Sequence, residues 1–302
     1  MRFDLAQLET LLAICEEGTF DAAARRLHLT PSAVSQRIRA LEQQTGRVLV
    51  NRSTPARATS AGEPLLSLAR QQRLLAAEAA RLLGDEAVVD LPVAVNADSL
   101  ATWFRPVLAA VAARGTAALR LQLSDQAHTQ DLLRGGEVLA AVTDDPRPVQ
   151  GCEVAALGTI RYRPAATPEL LDRFARGRSV DWARIPLVVF NEQDRLQDVV
   201  LDRHGVPRPP TVHRVPSSAD FLEAVKSGLG WGVLPEAQLE PELASGRLAP
   251  LPGGRHLDVT LHWQRWRFAS PTLAELTHDV RVAAQALRRP QRATGNGARL
   301  RS

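Results

Sequence analysis

Apolar residues recur at helical spacing in three successive stretches near the start of the chain. The first stretch begins at Leu5 and stops at Gly18, a residue type that commonly ends helices. A second helix is expected over residues 20–27, with Thr19 as its N-cap. Only two residues separate it from Thr30, so the pattern predicts short helices joined by a tight turn.

The third stretch has one apolar and one polar face. Thr30 is expected to cap it, and Pro31 to occupy its first position, where a missing N–H costs nothing. A polar outer face on the second helix of such a pair is typical of a helix-turn-helix that reads DNA bases. The competing interpretation is an ordinary three-helix bundle. The residues predicted to contact DNA from this helix are Thr30, Pro31, Ser32, Ser35, Gln36, Arg37 and Arg39.

After Gly46 the pattern changes from helical to extended. Residues 47–52 predict a strand, 53–56 a turn and 57–59 a returning strand, which together make the wing of a winged helix. From this wing Arg52 and Arg57 are expected to reach phosphates or the minor groove. Residues 1–60 are therefore predicted to form a winged helix-turn-helix domain.

A long helix is predicted over residues 61–84. Residues 60–63 match a capping box, and the apolar positions that follow advance in steps of three and four, as in a coiled coil. This seam consists of Leu65, Leu68, Gln72, Leu75, Ala79 and Leu82. A lone helix must bury such a stripe, which favours dimerisation, and a dimer reads two half-sites. Packing on its own chain is the alternative.

Strand and helix patterns then alternate over residues 91–290, which predicts a mostly parallel sheet flanked by helices. The predicted strands are 91–97, 119–123, 138–142, 187–190, 231–234 and 257–266, and the predicted helices are 99–113, 129–135, 168–176, 196–204, 219–227 and 272–288. Such sheets bind ligands at the carboxyl ends of strands and at helix N-termini. The polar residues expected at these places are Asp98, Ser99, Asp125, Thr143, Asp194 and Ser217. Acidic residues at several strand ends suit a ligand with cationic groups, although each one alone is more often a turn or cap residue.

The charge distribution supports a nucleic-acid partner. The 302 residues carry a net charge of +4, yet residues 25–60 hold seven arginines against one acid. Residues 280–302 hold six arginines and no acid, and 291–302 are expected to be a basic disordered tail. The length suggests two or three domains. Two distant cysteines, no signal peptide and no membrane-spanning apolar run favour a cytoplasmic protein.

No pattern in the sequence favours an enzyme. The chain has no Gly-x-Ser-x-Gly elbow, Cys-x-x-Cys pair or His-x-x-x-His spacing, so no catalytic residue, cofactor or metal is expected. His256 and His262 are expected in the core or at the surface. Cys15 is expected in the apolar stripe of the first helix, and Cys152 in a loop where it could be exposed.

The segment FDAAARRLHLTPSAVSQRIRALEQQTGRVLVNR, followed by ATSAG, resembles the LysR-type transcriptional regulators. The resemblance extends to about residue 290. One departure is Leu49-Val50, where many members have Leu-Phe. The resemblance implies an α+β multidomain protein with a winged helix-turn-helix, a linker helix and a two-lobed α/β effector domain like a periplasmic binding protein. Lobe I would comprise about 91–160 and 267–290, and lobe II about 161–266, with hinges near 160–164 and 265–269.

Five further segments resemble the ArgP/LysG branch of this family, namely VNADSLATWFRPVL, LLRGGEVLAAVT, LGWGVLPE, ELASGRL and LHWQRW. The resemblance implies an effector that is lysine or arginine, and control of a basic amino-acid exporter gene. Implied partners are double-stranded DNA, RNA polymerase and further copies of the chain in a homodimer or homotetramer.

An amino-acid effector assigns roles to the candidate residues. Its carboxylate would take the donors of Ser99 and Ser217, and its cationic groups would take Asp98, Asp125 or Asp194. Trp103 and Phe190 would pack against its aliphatic stem. Two alternatives stay open, namely a different small-molecule effector and an architectural or replication-linked DNA-binding protein without a functional effector site.

Overall fold

A computed structural model describes residues 2–85, 88–124 and 126–287. The chain opens with three helices and a two-stranded wing. These elements are α1 (Leu5–Glu17), α2 (Phe20–Arg26), α3 (Pro31–Thr45), β1 (Val50–Asn51) and β2 (Arg57–Ala58). The predicted caps are confirmed, since Thr19 Oγ1 accepts the N–H of Ala22 and Thr30 Oγ1 accepts that of Ala33. Gly18 adopts the left-handed conformation that ends α1.

The linker helix, α4 (Glu63–Leu82), does not begin with the predicted capping box. No side chain caps its first residue. Instead, Thr59 accepts the N–H of Glu63 at its carbonyl oxygen and that of Gly62 at its Oγ1. Gly62 packs so closely on the carbonyl of Leu49 that a Cβ would lie 2.1 Å from that oxygen. This close approach, rather than Ser60, fixes where the helix begins.

The linker helix has two apolar stripes. Leu66, Ala69 and Leu74, which lie off the predicted seam, are buried against the same chain. Along the predicted seam, Leu65 is also buried in the winged-helix core. The later seam positions remain open to solvent, with Leu75 40 % and Leu82 83 % exposed.

The effector domain begins with alternating strands and helices, as predicted. Its first half contains β3 (Val89–Val95), α5 (Ala97–Ala101), α6 (Arg105–Arg114), β4 (Ala117–Leu123), α7 (Gln126–Arg134), β5 (Ala140–Thr143) and β6 (Cys152–Ala166). One helix was expected over residues 99–113, but it is broken into α5 and α6. The prediction of Cys152 in an exposed loop is wrong, because this residue is buried at the start of β6.

The second half contains short elements and returns to the first. They are α8 (Pro168–Arg173), β7 (Ala175–Arg176), β8 (Ser179–Val180), β9 (Leu187–Val189), α9 (Leu196–Arg203), β10 (Val212–Arg214), α10 (Ser218–Lys226), β11 (Gly232–Pro235), α11 (Glu236–Ala244), β12 (Ala249–Pro250), β13 (Leu257–Trp266) and α12 (Pro271–Ala283), followed by a 3-10 turn (Ala284–Ala286). The pattern analysis predicted neither β6 nor α11.

The larger sheet has the strand order β4-β3-β5-β13-β6-β11, with β12 paired to the end of β6. Strands β4, β3 and β5 are parallel, whereas β6 and β13 run antiparallel along their length. These two long strands join lobe I, built on β3 to β5, to lobe II, built on β9 to β11. Their register shifts between Leu261 and His262, so the ladder is irregular where the chain passes between the lobes.

None of the helices in the described ranges combines the length and apolar character needed to cross a membrane. The predicted tail at 291–302 and the candidate Asp125 lie outside the described residues.

Candidate DNA-binding face and interlobe cleft

The outer face of α3 presents small polar side chains and one arginine. Pro31, Ser32, Gln36 and Arg39 are exposed there, and Ser35 is half-buried. The hydroxyl of Thr30 is used for capping and lies 2.9 Å from that of Ser32. The helix therefore offers short side chains near its N-terminus, which allow its backbone to approach base edges closely.

The predicted arginines occupy different places. Arg37 is half-buried and its Nη1 lies 3.4 Å from the Thr10 hydroxyl on α1, so it joins two helices. Arg52 and Arg57 are exposed on the wing. The Arg52 guanidinium lies 5.2 Å from the centre of the Phe20 ring, a cation–π contact that steadies the wing against α2.

A half-buried carboxylate connects the two lobes. Asp98, on α5 of lobe I, accepts a hydrogen bond of 3.0 Å from the Tyr162 hydroxyl on β6. It accepts a second, of 2.9 Å, from the Ser218 hydroxyl at the start of α10 in lobe II. Burial raises the pKa of Asp98, although these two hydrogen bonds act in the opposite direction. Asp98 thus lies in a cleft where both lobes and a connecting strand meet.

Two further carboxylates lie around Tyr162. Asp194 follows β9 and accepts the backbone N–H groups of Phe190 and Leu196, yet burial raises its pKa. Asp144 follows β5, and burial together with the charge of Asp145 raises its pKa to about 6. Burial raises the pKa of the Tyr162 hydroxyl, and the charges of Asp98, Asp194 and Asp144 raise it further.

The cleft therefore has an excess of negative charge. Within the described parts of the chain, neither Asp98 nor Asp144 is in an ion pair. Arg208 lowers the pKa of Asp194 through its charge, but its guanidinium bonds the carbonyl oxygen of that residue and the carboxylate of Asp198. A ligand with separated cationic groups would meet acids from both lobes. The same ranges contain no cluster of side chains that could hold a metal ion.

Several residues predicted to bind the effector make hydrogen bonds or packing contacts within the protein instead. Ser99 is fully buried, and its hydroxyl accepts the indole N–H of Trp103 at 3.0 Å. Thr143 accepts the backbone N–H of Asp145 through its hydroxyl. Phe190 packs against the core of lobe II, and Ser217 caps α10.

The sequence analysis chose Ser217 over its neighbour Ser218 and missed two cleft residues, Tyr162 and Gln238. Ser218, not Ser217, bonds Asp98, because the cap residue points back at its own helix. Tyr162 and Gln238 lie on β6 and α11, the two elements that went unpredicted. Gln238 Nε2 lies 3.4 Å from the Ser218 hydroxyl, and its Oε1 is buried without a hydrogen-bond partner. For Ser218, the available sequence signal was its position next to the predicted cap residue, Ser217.

A winged helix, a long helix and a two-lobed domain with an acidic cleft define a ligand-responsive DNA-binding protein. Residues 5–63 match the bacterial regulatory helix-turn-helix protein family of the lysR type, and residues 84–289 match the LysR substrate binding domain. The chain belongs to the LysR family of transcriptional regulators, which are not enzymes.

Similar proteins span nearly the whole chain. The lysine export transcriptional regulatory protein LysG of Corynebacterium glutamicum is 49 % identical over 281 residues, which is 92 % of this chain and 97 % of that protein. The regulator ArgP of Pseudomonas aeruginosa is 39 % identical over 288 residues, 93 % of this chain and 96 % of that protein.

Solved structures agree with this likeness. Full-length LysG from Corynebacterium glutamicum with bound effector Arg superposes with a TM-score of 0.82 at 47 % identity, covering 95 % of this chain and all of that one. ArgP from Mycobacterium tuberculosis superposes with a TM-score of 0.88 at 43 % identity, covering 96 % and 100 %.

Proposed function

We propose that this regulator binds L-arginine or L-lysine in the cleft between its lobes and controls a basic amino-acid exporter gene in the cytoplasm. The observation that carries the proposal is the set of three carboxylates around Tyr162, contributed by both lobes. The names of the LysG relatives and the arginine in one LysG structure point to the same ligand class.

Asp98, Asp144 and Asp194 would hold the cationic groups of the effector. The first turn of α10 offers backbone N–H groups, and Ser217 offers its hydroxyl proton, to the effector's carboxylate. Ser99 and Trp103 would support the site from behind, because they bond each other. Binding changes the conformation only as far as the effector prefers one arrangement of the lobes. A cation between opposing carboxylates gives such a preference for the closed arrangement.

On the DNA side, Ser32, Gln36 and Arg39 would read base edges, while Arg52 and Arg57 would contact phosphates. The exposed seam of α4, at Leu75, Ala79 and Leu82, would pair with that of a second copy. The dimer would place two winged helices on two half-sites.

The experiment is calorimetric titration of the purified protein with L-arginine, L-lysine and, as a control, L-leucine. We expect heat from the basic amino acids alone. Asp98→Asn should weaken arginine binding by about 1.5–3 kcal/mol, the range for hydrogen bonds to charged groups. Asp202→Asn, at an exposed position on α9, should bind normally. Absence of binding in both calorimetry and thermal shift would contradict a basic amino-acid effector and favour another effector or an architectural role.

A further inference from the structure

The linker helix α4 belongs to two hydrophobic cores at once. Its first half contributes Leu65, Leu66 and Ala69 to the core of the winged helix. Its second half contributes Leu74 to the core of the effector domain. The helix therefore connects the DNA-binding domain to lobe I both covalently and by packing.

A buried glutamate fixes the second half of α4 to lobe I. Glu78 is only 7 % exposed, and its Oε1 accepts the hydroxyl of Ser270 at 2.6 Å and the backbone N–H of Thr272 at 3.0 Å. Ser270 is also the N-cap of α12, whose Leu273 N–H it accepts. One turn further along α4, Arg81 Nη1 lies 3.4 Å from the Thr272 hydroxyl. A carboxylate from the linker helix thus completes the N-terminus of a helix in another domain.

The segment that Glu78 holds is joined directly to the cleft. Strand β13 passes between the lobes, shifts register at Leu261, and ends at Trp266. Ser270 follows four residues later. A change in how the lobes meet must be taken up in β6 and β13, and β13 leads through the short segment 267–270 to the residues that Glu78 bonds.

We propose that Glu78 is a positioning residue that couples the effector cleft to the linker helix, acting through Ser270 and the first turn of α12. This inference rests on the proposed function. The effector makes no contact with Glu78. It acts on the orientation of α12, and the carboxylate transmits that orientation to the helix that carries the winged domain and the dimer seam.

The test is hydrogen exchange of the full-length protein with and without saturating L-arginine, read in peptides covering the cleft, residues 268–276 and residues 72–82. Glu78→Leu removes the acceptor and places an apolar side chain of similar size at the buried position. Without ligand, it should speed exchange in 268–276 by about 10-fold, as expected when a charge-assisted bond is lost. When arginine is added, the cleft of this variant should still gain protection from exchange. The arginine-dependent change in the exchange of residues 72–82 should disappear.

Two further variants separate coupling from general damage. Glu78→Gln keeps an acceptor oxygen and should restore part of the response in 72–82. Glu63→Leu, at an exposed position on the same helix, should behave like the wild type in 268–276. A Glu78→Leu protein that keeps the full arginine response in 72–82 would overturn the proposal. A wild-type protein whose cleft gains protection with arginine while residues 72–82 do not change would also overturn it. A wild-type protein whose cleft does not respond to arginine would instead contradict the proposed function itself.

Discussion

At the scale of single residues, the raised pKa values of the cleft acids link effector binding to pH. A carboxyl with a raised pKa holds its proton at a higher pH, and only its ionised form attracts a cation. Arginine binding should therefore release protons, and affinity should fall as the pH falls through about 6, the value for Asp144. Calorimetry at pH 7.5 and 5.5 should show a decrease of about 4-fold or more, since Asp144 alone is mostly protonated at the lower pH.

Asp144→Asn tests the same residue through stability. Because its pKa is higher in the folded than in the unfolded protein, ionised Asp144 destabilises the fold, and the effect grows as the pH rises. The variant should be more stable at pH 7.5 by about 1–3 kcal/mol and bind arginine more weakly. Chemical denaturation at pH 7.5 and 4 checks this, and an equal gain at both pH values would contradict it.

Gln36 carries the residue-scale prediction for DNA. If its amide reads a base, Gln36→Ala should lose about 1–3 kcal/mol on a selected operator duplex and almost nothing on random duplexes. Fluorescence anisotropy with both duplexes at one salt concentration measures this. An equal loss on both would show that Gln36 contributes only to general affinity.

Single residues also show where sequence analysis succeeds. Thr19 and Thr30 were predictable as caps because capping depends on a few neighbouring residues. Asp98 was found from its place at a strand end. Ser217 was chosen over Ser218, and Tyr162 was not found, since the roles of Ser218 and Tyr162 come from contacts with Asp98 over 120 and 64 residues of sequence. Local patterns do not specify such distant contacts.

At the scale of elements, the bounds of the linker helix were predicted to within a few residues. Only one apolar stripe was predicted on it, however, whereas the helix has two. Its heptad pattern identified the exposed seam, while the stripe through Leu66 and Leu74 packs on its own chain. Helix α11 was missed because Pro241 lies inside it, where proline usually ends a helix. Strand β6 was missed because its alternating pattern breaks between the lobes.

The seam gives the element-scale prediction. Leu75→Glu should place a charge in the dimer interface and shift the protein towards monomers. Leu229→Glu is a matched control, since Leu229 is 39 % exposed on lobe II and Leu75 is 40 % exposed. Light scattering after size-exclusion chromatography gives the masses. A Leu75→Glu protein with the wild-type mass would place the dimer contact elsewhere.

At the scale of the whole molecule, close packing joins the linker helix to lobe I. Gly136 has φ +66°, and a Cβ there would lie 2.6–2.9 Å from atoms of Ser67 on α4. Nearby, Arg70 donates to the carbonyl of Gly135 at 2.6 Å. These contacts, together with Glu78, hold α4 to the effector domain over about 17 Å of its length.

Gly136→Ala should therefore destabilise the protein beyond the cost of its backbone conformation. Gly115 has φ +65°, and a Cβ at that position would meet nothing within 4 Å, so Gly115→Ala should cost about 1–2 kcal/mol from the left-handed conformation alone. Gly136→Ala should cost about 1–3 kcal/mol more from overlap with Ser67. Urea unfolding of both variants measures the difference, and equal losses would mean that α4 moves aside freely.

The sharing of α4 between two cores limits how such regulators can be recombined. A chimaera joined at Gly84, where the ligand-binding domain match begins, would import lobe I without Leu74 and Glu78. Its α12 would then pack against the linker helix of another regulator instead of the helix that carries its own Glu78. The unit that can be exchanged intact is the effector domain with its linker helix from Ser67 onwards, so a junction within the first turn of α4 would preserve the response to a transplanted effector.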